Sequence, residues 1–166
     1  MKFMPKAFLA SILAFSCVFA TAAEVKNVSP AKTAASVQMT SQQELVDLFF
    51  AAAKIGNSEV INEFLKHGFP VDVRNPAGFT PLMMATYYGH QPIVSTLLTY
   101  GADRCARDQK GHTALMAAIV KAEWGIARQL RQVDCDAHAV QTGQLTAEEF
   151  ARVFGQQQQF QKLSED

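Results

Sequence analysis

Residues 78–103 read GFTPLMMATYYGHQPIVSTLLTYGAD, and the order of residue types in that stretch decides the architecture. Thr80 stands just before an apolar helical pattern, where its hydroxyl can cap the first turn, and Pro81 suits the first helical position because its missing N–H costs nothing there. Leu82 and Ala85 share one face, and the small Ala85 lets a neighbouring helix come close. Gly89 turns the chain. Ile93, Val94, Leu97 and Leu98 form the apolar face of a second helix, which Gly101 ends in a left-handed conformation.

The same pattern recurs at a spacing of 33 residues. Gly56 aligns with Gly89, Leu65 with Leu98, Gly68 with Gly101, Gly78 with Gly111, Thr80 with Thr113, Leu82 with Leu115, Ala85 with Ala118, Ile93 with Ile126 and Leu97 with Leu130. Thr146-Ala147 and Gly155 continue the register as a degenerate fourth copy. The stretch from Gly78 through Ala85, then Gly89-His90 and Leu97 to Asp103, resembles an ankyrin repeat, whose period this is; Gly111 to Ala118 begins a second such copy. The resemblance spans about Glu44 to Leu163. It implies an all-α ankyrin-repeat solenoid of stacked helix-turn-helix units with hairpin-like fingers, about four repeats including caps, over 42–74, 75–107, 108–140 and 141–166.

Departures from the family pattern carry their own expectations. Met83 and Met116 stand where the family usually has His, and are read as flexible core filler. In the third copy Arg131 replaces a Leu, Asp134 replaces a Gly and Gly125 interrupts the second helix, so that copy is expected to be the least stable. Glu148, where Leu82 and Leu115 stood, and the polar run Gln156 to Gln159 suit a terminal cap that meets water.

Outside the repeats the chain reads differently. Lys2 and Lys6 flank the start of an apolar run from Ala7 to Ala20, followed by Ala20-Thr21-Ala22. This pattern predicts a signal peptide over 1–22, cut after Ala22, with the mature chain periplasmic or secreted. The run falls short of the roughly 20 apolar residues that a membrane-spanning helix needs. The alternative is a lipoprotein anchored at Cys17, although Ala14 stands where a lipobox has an aliphatic residue. Residues 23–40 show no apolar period and are expected to form a disordered linker. At Ser41, a capping box with Glu44 predicts the start of the folded domain, 41–166.

Charge and composition narrow the function. The whole chain carries 15 basic and 15 acidic residues, so bulk charge points to no nucleic acid. Neither a His-x-x-x-His nor a Cys-x-x-Cys pair occurs, and His67, His90, His112 and His138 fall at different repeat positions, so no metal, cofactor or catalytic constellation is expected. The glycines fall at repeat turns, Gly125 and Gly143 excepted, leaving no phosphate-cradling loop. Cys105 and Cys135 lie three residues out of phase in successive fingers. Repeats that stack at about 10 Å would hold them beyond the roughly 7 Å Cα separation that a disulfide spans, so both are expected as free thiols.

The family resemblance implies a non-catalytic binding or scaffolding module whose fingers and first helices line a concave face. Carried over by position, that face holds Arg74, Phe79, Tyr87, Tyr88, Arg107, Lys110, His112 and Lys121, an aromatic and basic set suited to holding another protein, acidic in character. The resemblance also suggests an accessory to an oxidative-stress enzyme such as catalase. A small haem or ligand carrier is the alternative, motivated by Met83, Met84, Tyr87, Tyr88 and His112 on or near one helix and finger. A stacked repeat core is expected to leave little closed cavity for it. Capping copies at both ends predict a monomer.

Overall fold

Three threonines start three helices. Thr80 Oγ1 accepts from the Met83 N–H at 3.3 Å, Thr113 Oγ1 from the Met116 N–H at 3.3 Å and Thr146 Oγ1 from the Glu149 N–H at 3.1 Å, with Glu149 returning a bond to the Thr146 N–H. In the computed structural model, which describes residues 30–137 and 139–163, these caps open α3 (Pro81–Tyr87), α5 (Ala114–Lys121) and α8 (Ala147–Val153). Each is the first helix of a repeat. The second helices are α4 (Gln91–Thr99), α6 (Trp124–Leu130) and α9 (Gln157–Lys162). The N-terminal repeat is made by the end of α1 (Pro30–Ile55) and by α2 (Ser58–Lys66), which Asn57 caps. A short α7 (Ala139–Thr142) precedes α8, and no strand occurs among the described residues.

First helices pack on first helices, α1 on α3, α3 on α5 and α5 on α8; second helices follow, α2 on α4 and α4 on α6. Two layers of helices thus enclose one continuous core. Phe49, Ile61, Leu82, Met83, Ile93, Leu97, Met116, Ile119, Ile126 and Leu130 are fully buried in it, each stabilising the stack by about 1.5–3 kcal/mol relative to exposure. Met83 and Met116 are core filler as their apolar character predicts, and the Met83 sulfur also accepts from the Thr80 N–H at 3.5 Å. Between repeats the chain folds back as fingers. Asn75 N–H donates to Phe79 O at 3.1 Å and Asp108 N–H to His112 O at 2.9 Å, closing two hairpin-like turns without forming strands.

Three sequence expectations are corrected. The segment 30–40, expected to belong to a disordered linker, is the first part of α1, so Ser41 lies inside a helix and not at its start. Apolar period reports which face is buried, whereas this segment's Ala, Lys, Gln and Met favour helix by propensity, and Pro30 suits a helical first position. Gly125 does not interrupt α6; it is that helix's second residue, where Pro92 stands in α4. The third correction is covalent. Cys105 and Cys135 form a disulfide, with Cα atoms 5.1 Å apart. The 10 Å step separates equivalent positions, but the chain leaving each second helix advances along the stack. A three-residue phase difference therefore shortens the gap.

The preceding junction is tied at neighbouring positions by a hydrogen bond: Cys105 is one 33-residue step on from Asp72, Cys135 one step on from Ala102, and Asp72 accepts from the N–H of the next residue, Asp103, at 3.1 Å. Burial pushes the Asp72 carboxyl up from its ordinary pKa, with the Asp103 charge adding and the Asp103 N–H and Arg74 opposing. The expected signal peptide 1–22, Cys17, the first part of the linker and His138 lie outside the described residues.

Candidate functional site

The repeat register sets four first helices side by side, so equivalent residues form rows across them. One row is Lys54, Tyr87, Val120 and Val153; the next is Ile55, Tyr88, Lys121 and Phe154. All eight are exposed, and six are large apolar or aromatic side chains, Tyr87 at 41% and Tyr88 at 43%. Exposed apolar residues scattered singly need no explanation; here six of them stand in two aligned rows.

Beside these rows lies an open groove of about 410 Å³ between α3, α5, α8 and the second finger, lined by Phe79, Met83, Met84, Tyr87, Tyr88, Asp108, His112, Thr113, Met116, Ala117, Val120 and Phe150. Its walls are apolar almost throughout. The polar exception is ordered: Asp108 is buried and accepts from the N–H groups of Lys110 and His112, each at 2.8 Å, while His112 Nδ1 lies 3.1 Å from its second oxygen. The His112 ring also meets Phe150 edge-on at 5.5 Å.

Two lysines sit on the aromatic pair from opposite sides. Lys54 Nζ lies 5.6 Å from the Tyr88 ring centre and Lys121 Nζ lies 4.9 Å from that of Tyr87, with the two tyrosines in edge contact at 5.3 Å. Such contacts hold an ammonium in place and leave it wet, adding about 0.5–1 kcal/mol each.

Of the residues read from the sequence, Phe79, Tyr87, Tyr88 and His112 line the groove, Lys121 flanks it and Lys110 is exposed at the tip of the second finger. Arg74 and Arg107 belong to a different job. Arg74 Nη1 donates to Gly78 O at 3.0 Å and to Arg107 O at 2.7 Å; Arg107 donates to Gly111 O at 2.6 Å, Leu145 O at 3.4 Å and Cys135 O at 3.4 Å, and pairs with Asp136 at 3.7 Å. Equivalent arginines thus close each finger and tie it to the next, because a guanidinium offers several donors in a rigid fork. Sequence reasoning missed Lys54, Ile55 and Phe150. The 33-residue register would have found them, since Lys54 aligns with Tyr87 and Phe150 with Met84.

His90 is likewise an inter-repeat tie, donating to Lys54 O at 2.9 Å. Among the described residues no group of three or more His, Cys, Asp or Glu is placed to hold a metal ion, and no helix is long and apolar enough to cross a membrane.

A family model of ankyrin repeats in three copies matches residues 48–141, more than half of the chain. The chain belongs to the ankyrin-repeat family, whose repeats imply a protein–protein interaction module. A putative ankyrin repeat protein of Pseudomonas aeruginosa is 40% identical over 52 residues, 31% of this chain and 30% of that protein. A putative ankyrin repeat-containing protein of Treponema pallidum is 27% identical over 104 residues, covering 62% of this chain and 35% of that protein. E3 ubiquitin-protein ligase XBAT33 of Arabidopsis thaliana is 42% identical over 90 residues, 54% of this chain and 17% of the ligase. The chain therefore spans 17–35% of the length of these relatives.

Proposed function

We propose that the protein is a non-catalytic binding or scaffolding module, exported to the periplasm or beyond the cell, that holds another protein on the face formed by its first helices and fingers. The observation that carries the reading is the coincidence of the groove with the two exposed rows: an apolar trough beside paired tyrosines, with Lys54 and Lys121 over the tyrosine rings. Aromatic side chains beside cations are the composition that carries interface energy. The Cys105–Cys135 bond supports export, because disulfides persist in oxidising compartments and are rare in the cytosol. Nothing on this face selects an oxidative-stress enzyme such as catalase over other partners.

The test is affinity capture from the compartment that holds the protein, using the unmodified chain and a Tyr87→Ser, Tyr88→Ser, Lys121→Ser variant. Arg107 is left intact because its bonds hold a finger. A partner retained by the unmodified chain and lost from the folded variant supports the placement; equal retention by both overturns it.

The groove's volume favours one second reading, a carrier of a small apolar ligand or haem, since 300–1,000 Å³ is the range of ligand pockets. Met83 is an unsuitable axial ligand there, being buried with its sulfur turned to the Thr80 N–H. His112 would have to serve through Nε2. Haem titration checks this: a Soret shift lost in His112→Ala supports the carrier, and no shift removes the haem form of it.

A further inference from the structure

The two exposed rows and the groove have a spacing as well as a chemistry. Packed helices set their axes about 8–10 Å apart, so the rows repeat at that step across α1, α3, α5 and α8. A strand advances about 10 Å in three residues, but odd spacings turn side chains to opposite faces. An α-helix advances about 10.5 Å in seven residues and returns to the same face. A helix lying along the stack therefore offers one apolar contact to each successive repeat.

The charges fit the same occupant. Lys54 and Lys121 lie on first helices two repeat steps apart, one in each row, with Tyr87 and Tyr88 between them. Because each ammonium leans over one ring of the central tyrosine pair, at most about 16 Å separates the two charges, the advance of about eleven residues of helix, a spacing that returns to the same face. Asp108 is the one acid lining the groove among the described residues, and it is already bound to His112 and two backbone N–H groups, so the cations at the edges face no competing carboxylate in the trough. Met83, Met84 and Met116 provide the deformable floor that suits the branched and aromatic side chains of an amphipathic helix.

We propose that the occupant of this face is an acidic amphipathic α-helix of the partner protein, laid along the stack, with its apolar side in the groove and carboxylates about three turns apart against Lys54 and Lys121. A proline-rich segment matches the step too, at about 9.3 Å for three residues, but it fills the Met-lined trough with small rings and supplies no carboxylates. The proposal rests on the binding face assigned above and adds the form and charge of what binds.

The test uses the disulfide-bonded protein and a fluorescein-labelled helical peptide of about 18 residues, with leucines along one face and two glutamates flanking it, eleven positions apart. Anisotropy titration is expected to show saturable binding that weakens by about tenfold or more in Lys54→Glu, Lys121→Glu. Both sites are exposed, so circular dichroism should be unchanged. A peptide with lysines for the two glutamates is expected to bind that variant and not the unmodified protein. The proposal is overturned by binding that ignores the charge exchange, by a proline-rich peptide of equal length binding in the helix's place, or by no peptide binding. Those failures stay distinct from failure of the face itself, which shows only as partner capture that survives loss of Tyr87 and Tyr88.

Discussion

The second and third repeats reach the same fold by different means. In the second, α4 runs nine residues, Gly89 takes the left-handed turn at φ +75°, and the junction before it is strapped by the Asp72 carboxylate on the Asp103 N–H. In the third, α6 runs seven residues and Ala122 is forced to φ +56° where its counterparts are glycines. Arg131 stands in place of a core Leu, and its guanidinium lies 4.5 Å over the Phe160 ring and donates to Phe160 O at 2.9 Å. The Asp strap gives way there to the Cys105–Cys135 bond, backed by Arg107 on Cys135 O and Asp136. Where repeat consensus weakens, covalent and guanidinium ties take over from apolar burial.

The largest test of that contrast is reduction. The disulfide closes a loop with a sequence separation of 30, so its loss, by reductant or by Cys105→Ser with Cys135→Ser, is expected to lower stability by roughly 3–4 kcal/mol in the loop-entropy picture. Urea unfolding with hydrogen exchange should place the loss in α6 to α9; a uniform loss across all repeats contradicts the division drawn here. The two finger arginines sharpen it next. Arg107→Ala is expected to cost about 2 kcal/mol, against about 1 kcal/mol for Arg74→Ala, because Arg107 serves more acceptors and is the more buried. Equal costs would deny that the third junction leans harder on its arginine.

A gain of stability tests the same comparison from the other side. Ala122→Gly removes a side chain from a left-handed position and is expected to raise the thermal midpoint, worth about 0.5–1 kcal/mol. The reverse change, Gly89→Ala, is expected to destabilise, since its Cβ would also meet Glu123 Oε1 at 2.6 Å. The smallest effect is one of pH. Because the folded Asp72 carboxyl titrates above its unfolded value, the native state holds more protons between the two values, and stability falls as pH rises through that window. Asp72→Asn should flatten this slope in acid-limb unfolding curves, whereas the disulfide at the next junction adds no such slope.

How legible each part was follows from what a repeat records. The 33-residue register, the Thr80, Thr113 and Thr146 caps and the glycine turns serve local backbone needs, so the sequence states them directly. Met83 and Met116 read correctly as core for the same reason. The Cys105–Cys135 bond was missed because stacking distance was applied between equivalent positions, while the bond joins positions out of phase. Arg74 and Arg107 were assigned outward from finger position alone; long side chains choose their acceptors in space, and these found backbone carbonyls. The groove was half legible: Tyr87 and Tyr88 at the end of one first helix and Lys121 at the end of the next were visible from their place in the repeat, but Lys54 and Phe150 come from repeats one and four, and meet them only when the stack is assembled.

Partners held on the groove side of the first helices leave a positional signature. Photo-crosslinking reads it, with p-benzoylphenylalanine placed at Tyr88 beside the groove and, separately, at the exposed Thr99 at the end of α4, followed by identification of the crosslinked product in the native compartment. A specific product is expected from position 88 and none from position 99; crosslinking from 99 with silence at 88 would move the binding face off the groove.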